Sequence, residues 1–132
     1  MASMRLSGAA FQLVLGLWLL HAQPLLAGSG KADVFEITTY KLKAGTSVEE
    51  GRKLASELNT AYKKQKGFEG REVYFDTEQK VWVERVKWKH EAAAHEGRDA
   101  VNKDPSVQKF ESMLERDGYQ RIRGERLFKF EI

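Results

Sequence analysis

Apolar and polar positions alternate over residues 34–42. Phe35, Ile37 and Thr39 fall on one side of an extended chain, and Val34, Glu36, Thr38, Tyr40 and Leu42 on the other. Ala44-Gly45 turns the chain, and the period then lengthens. Ser47-Val48-Glu49-Glu50 has the form of a capping box, and Gly51, Leu54, Ala55, Leu58, Ala61 and Tyr62 follow on one helical stripe that ends near Lys66-Gly67. A second strand is predicted from about Arg71 to Phe75. Asp76-Thr77-Glu78-Gln79 is a polar turn, so the next strand, Val81 to Lys89, is expected to pair antiparallel with it. A helix over about Glu91 to Val101 follows. Asp104-Pro105, a cap residue before a proline at the first helical position, opens another, with Val107, Phe110 and Leu114 on one face and a stop at Gly118. The last strand is predicted from about Ile122 to Phe130. The order β-α-β-β-α-α-β predicts an α+β domain built on one antiparallel sheet.

The strands are apolar on both faces. Trp82, Val86 and Trp88 share one face of the third strand with Glu84, and Val81 and Val83 share the other; Phe128 and Phe130 mark one face of the last strand. Helices on one side of a sheet leave the other side bare. A second copy of the chain is the simplest cover for it, so a homodimer is expected. The alternative is a monomer with one solvated sheet face.

Residues 1–28 carry a different instruction. Arg5 is the only charge before Lys31, and Leu13-Val14-Leu15-Gly16-Leu17-Trp18-Leu19-Leu20 is too short for an ordinary membrane span, which needs roughly 20 apolar residues. Small residues at Ala22 and Ala27 flank Pro24. This is the form of a signal peptide cleaved after one of those alanines, with an uncleaved N-terminal anchor as the alternative. The expectation is an exported protein, periplasmic or secreted, with residues 29–132 as its single domain. Gly28-Ser29-Gly30 forms the joint. The sequence has no Cys, so packing or oligomerisation rather than disulfides must hold the exported domain together.

Charge narrows the partners little. The chain has 22 Lys and Arg against 19 Asp and Glu. Losing Arg5 with the signal leaves 21 against 19, near +2. The charges are interspersed, and the densest basic run, Lys63-Lys64-Gln65-Lys66, sits where it complements a helix C-terminus. A nucleic-acid surface would want a basic stripe with interleaved aromatics, so no nucleic-acid partner is expected. No His or carboxylate spacing suggests a metal site.

Several segments taken together resemble the antibiotic-biosynthesis-monooxygenase family. They are Phe35-Glu36-Ile37-Thr38-Thr39-Tyr40-Lys41-Leu42-Lys43-Ala44-Gly45-Thr46, the Lys66-Gly67-Phe68 turn, Trp88-Lys89, and Asp104-Pro105-Ser106-Val107-Gln108-Lys109-Phe110. The resemblance covers about Asp33 to Phe130. It implies a ferredoxin-like βαββααβ fold and a dimeric α+β barrel. It also implies, for the oxygenase members, cofactor-independent oxidation of an electron-rich aromatic substrate. Its oxygenase residues carry over through Trp88. Where members carry a His or Trp in the helix after the third strand, this chain has Gly97; where a His follows the proline of the next helix, it has Ser106. Haem-degrading members place an Asn where this chain has Thr38, so haem degradation is disfavoured and no cofactor is expected.

The remaining polar groups supply candidate chemistry. His90 is expected either as a general base for a phenol or as a helix cap, with His95 in solvent. Glu36, Thr38 and Tyr40 line one strand face in succession, and Glu84 lies among Trp82 and Trp88. That surface suits a flat aromatic ligand, with polar groups fixing its orientation. The alternative is that Glu36 or Glu84 meets Arg85, Arg121 or Arg123 across a dimer interface. Trp88, His90 and Tyr40 are therefore the candidate catalytic residues, and Glu36, Thr38, Glu84 and Trp82 the candidate substrate contacts. A non-catalytic ligand-binding or scaffolding dimer is the alternative function. Gly97 and the alanines before it are expected to let the middle helix lie close to the sheet, leaving little room for a large pocket there.

Overall fold

The computed structural model describes residues 33–132; the signal-peptide reading of residues 1–28 lies outside them. Four antiparallel strands, β1 (Val34–Tyr40), β2 (Phe68–Asp76), β3 (Val81–Trp88) and β4 (Gln120–Glu125), form one sheet in the order β2-β3-β1-β4. Helices α1 (Val48–Glu57) and α2 (Asn59–Lys63) connect β1 to β2, and α3 (Glu91–Asn102) and α4 (Pro105–Ser112) connect β3 to β4. This is the α+β arrangement that the element order predicts, and the ferredoxin-like one that the family resemblance implies.

The caps fall where the residue types place them. Ser47 accepts from the Glu50 N–H while the Glu50 carboxylate accepts from the Ser47 N–H, and Asp104 caps α4 ahead of Pro105. Five boundaries differ from expectation. The first helix is broken at Leu58, because Arg71 Nη1 on β2 takes the Ala55 carbonyl at 2.7 Å, the acceptor that Asn59 N–H would otherwise use. The second strand is longer than predicted, with a register irregularity between Phe68 and Gly70. Helix α4 ends at Ser112 rather than Gly118. The last strand ends at Glu125: its ladder with β1 is used up where Arg126 N–H donates to Asp33 O at 3.0 Å, so Phe128 and Phe130 lie beyond the strand and are 83% and 80% exposed. Similarly β1 stops at Tyr40, and Leu42 makes a lone bridge to Leu114.

The helices cover one sheet face. Val34, Tyr40, Trp82, Val86 and Trp88 from the strands pack there against Leu58, Ala61, Tyr62, Ala94, Val101 and Phe110. Gly97 is what brings α3 down onto the sheet: a Cβ at this position would sit 2.2 Å from Trp88 Cζ3. On the opposite face Phe35, Ile37, Thr39, Val81 and Val83 are half-buried and Ile122 is 64% exposed. None of the helices among the described residues is long and apolar enough to cross a membrane.

Candidate functional site

Strand parity assembles the site. Register pairs Tyr40 with Trp82, Thr38 with Glu84, and Glu36 with both Val86 and Arg123, so Glu36, Thr38, Tyr40, Trp82, Glu84 and Trp88 all turn to the helix-covered face. They therefore meet α2, α3 and α4 of their own chain. The alternative that Glu36 or Glu84 reaches arginines across a subunit interface is corrected. Both are buried within one domain, and each finds its cation there.

Glu36 is wholly buried. Its Oε1 accepts from Trp88 Nε1 at 2.7 Å and from Arg98 Nη2 at 3.1 Å, and its Oε2 accepts from Arg123 Nη2 at 3.0 Å. Glu84 accepts from Tyr62 O–H at 2.9 Å and from Arg71 Nη2 at 2.8 Å. Arg98 Nη1 donates to the Tyr62 hydroxyl, whose ring lies between Arg71 and Arg98, with guanidinium carbons 5.2 Å and 5.1 Å from its centroid. The result is one polar chain, Arg123–Glu36–Arg98–Tyr62–Glu84–Arg71, that crosses the interior and emerges at Asn59, which accepts from Arg71 at 2.6 Å.

Burial alone would raise the Glu36 pKa. The Arg98 charge and the hydrogen bonds from Arg123, Arg98 and Trp88 outweigh it, so the carboxyl is held below its ordinary 4.5. A lowered folded value means that the group's contribution to stability is complete above the unfolded pKa and is lost as pH falls through the folded one. Melting temperature should hold down to about pH 4.5 and then drop. The non-titrating Glu36→Gln chain should show a flatter acid limb in the same thermal melts. Burial first, and Glu84 second, push the Tyr40 and Tyr62 phenols above their ordinary 10, so both remain neutral donors.

The other candidates are placed as follows. Trp88 is fully buried with its N–H committed to Glu36. Trp82 stacks parallel to Tyr40, centroids 6.3 Å apart, and Phe110 meets Tyr40 edge-on at 5.0 Å. His90 stands apart from this layer as the cap of α3, its Nδ1 accepting from Ala93 N–H at 3.1 Å, which leaves only Nε2 for other contacts. His95 is exposed, beside Glu91 and Arg123. Among the described residues no cluster of His, Cys, Asp or Glu could hold a metal ion. A recess remains beside Thr38, Tyr40, Tyr62 and Arg98, with a volume of only about 40 Å³. The hollows of about 320 Å³ and 480 Å³ border Trp82 alone among the seven candidates, and the 620 Å³ hollow on the open sheet face borders none of them.

Sequence reasoning missed Arg71, Tyr62 and Arg98 as site residues. Arg98 had a visible signal: it lies one position from Gly97 and four from Ala94, on the stripe that packs against the sheet. Arg71 shares its parity with Val73 and Phe75, which face the helices.

Fold and site together define an α+β, ferredoxin-like protein whose interior is closed by ion pairs. No family model matches the sequence, and no curated protein does either. Solved structures do match. A mutant form of SnoaB, a cofactor-independent oxygenase from Streptomyces nogalater, aligns with a TM-score of 0.60 at 11% identity, covering 74% of this chain and 96% of that one. Rv0793 from Mycobacterium tuberculosis aligns at 0.58 and 14%, covering 76% and 100%. A proposed antibiotic biosynthesis monooxygenase from Bordetella bronchiseptica aligns at 0.58 and 10%, covering 74% and 100%. The chain thus has the monooxygenase-like fold that its segments resemble; at these identities the likeness is one of fold.

Proposed function

We propose that the chain is an exported homodimer of this fold that binds a small ligand without turning it over. The observation that carries the reading is the closed interior. Glu36 and Glu84 have both oxygens engaged by groups of the same chain, Trp88 fills the space under Gly97, and about 40 Å³ is left. Sites for drug-sized molecules run from roughly 300 Å³ upward. Dimerisation is supported by the half-buried open face and by the exposed side chains of Ile122, Leu127, Phe128, Phe130 and Ile132, which a second copy would cover. Export is supported by the form of residues 1–28.

The second reading is oxidation of an electron-rich aromatic substrate. It is favoured by the likeness of fold to SnoaB and by Trp88, and would use Trp88, His90 and Tyr40 with Glu36, Thr38, Glu84 and Trp82 around the ring. One pair of measurements separates the readings. Sedimentation of the chain without residues 1–28 should give a dimer, and an oxygen electrode should record no uptake with a quinol above the protein-free rate. Oxygen uptake that is lost in Trp88→Ala or His90→Ala would replace the binding reading with the enzymatic one, and a stable monomer would remove the dimer.

A further inference from the structure

The recess beside Tyr40 is small, but its chemistry is one-sided. The Tyr40 side chain is 1% exposed, and its hydroxyl is buried with no hydrogen-bond partner in the described residues. Burying a hydroxyl without a partner is costly, and such groups are uncommon enough to require a reason. None of its neighbours in the recess bonds it. Both Glu84 oxygens are taken by Tyr62 and Arg71, and the Tyr62 oxygen accepts from Arg98. The buried guanidinium beside it keeps uncommitted donors. A guanidinium has five N–H groups, and Arg98 uses Nε and Nη2 on Glu36 and Nη1 on Tyr62. Arg121, at the mouth, donates to Tyr119 and stacks over its ring at 5.6 Å, and it has no carboxylate partner among the described residues. Deeper in, Glu36 pairs with Arg98 and Arg123, and Glu84 with Arg71. Arg121 and Glu111 both line the mouth, and neither has an ion-pair partner among the described residues.

A buried hydroxyl donor beside spare guanidinium N–H groups suits a guest that accepts. We propose that this recess binds a small carboxylate of about the size of formate, held by the Tyr40 hydroxyl and Arg98 and covered by Arg121 where it lies against Tyr119. Its volume of about 40 Å³ sets the size. One water occupies about 10–15 Å³ on this scale, so the recess holds about three water-sized atoms and excludes a ring. Thr38 adds a further hydroxyl to the lining. The site specifies the ligand class for the binding reading above and rests on it. The two fail separately, since oxygen uptake would end that reading, whereas the site is read by ligand-dependent melting.

The test is thermal unfolding of the full chain in sodium formate against sodium chloride at equal ionic strength and pH, with sodium benzoate as a carboxylate too large for the recess. Formate should raise the melting temperature saturably, and benzoate should not. Tyr40→Phe should lose most of the formate shift while melting in chloride at or above the parent temperature, because it no longer buries an unpaired hydroxyl. Arg121→Gln, an exposed change that leaves the core intact, should need about tenfold more formate for half its effect. No formate shift beyond chloride, an equal shift in Tyr40→Phe, or an unchanged half-saturation in Arg121→Gln would each overturn the proposal. So would a lower melting temperature of Tyr40→Phe in chloride, which would mark the recess as the seat of an ordered water.

Discussion

Glu36→Ala is expected to cost about 3–5 kcal/mol and to bring the domain close to unfolding at room temperature. Among the described residues the carboxylate is the only ion-pair partner of Arg98, and it shares Arg123 with the exposed Glu91. Its loss strands a guanidinium inside the domain and removes the acceptor of the Trp88 N–H. Total stabilities of small domains are about 5–15 kcal/mol, so the change consumes a large share. Urea unfolding followed by far-ultraviolet circular dichroism should show the midpoint collapse. The cause is the stranded charge rather than the missing attraction, since replacing a whole buried ion pair by apolar groups is often neutral. Glu36→Met combined with Arg98→Met should therefore recover much of what Glu36→Ala loses. Equal instability of the double variant would show that packing, not charge, holds this region.

The second large effect is at Gly97. Gly97→Ala places a methyl group 2.2 Å from Trp88 Cζ3 and 2.3 Å from Cη2, and the indole cannot retreat, because it is fully buried and its N–H is held by Glu36. Overpacking of this kind costs about 1–3 kcal/mol, while alanine gains about 1 kcal/mol over glycine in a helix interior. The clash should dominate, so the variant should be less stable despite its better helix propensity. Trp88→Phe removes the atoms in conflict. A double-mutant cycle by urea unfolding should give a pair less destabilised than the sum of its members. Additive losses would mean that α3 lifts away as a body. The same geometry recurs at Gly51, where a Cβ would meet Trp82 Cζ2 at 2.3 Å.

Much of this was legible in the sequence because strand parity is strict. Glu36, Thr38 and Tyr40 had to share a face, as did Trp82, Glu84 and Trp88, and the capping residues at Ser47 and Asp104 marked their helices. The misses share a cause in contacts made at long range. Leu58 reads as mid-helix, and the break there comes from Arg71, a residue of a later strand. Glu125 ends β4 because its ladder with β1 runs out, not because the alternation of Leu127, Phe128 and Phe130 fails. Arg71 and Arg98 are passed over in a sequence reading because charge is ordinarily solvent-facing, and only the opposing carboxylates on the sheet make their burial tolerable. His90 left two roles open in the sequence, and the one visible in the fold is the cap. Whether the space between helices and sheet is open was written in Gly97, though its closure depends on how the Trp88 indole lies beneath it.

Glu36 Oε2 is bonded to Arg123, 87 residues further along the chain. A carboxylate on the first strand is thus not fully neutralised until the last strand arrives. Contacts of such long sequence separation slow folding, because the intervening chain must be ordered before they repay it. They also join both ends of the domain in one cooperative unit, so fraying at the C-terminal strand is felt at the centre of the sheet.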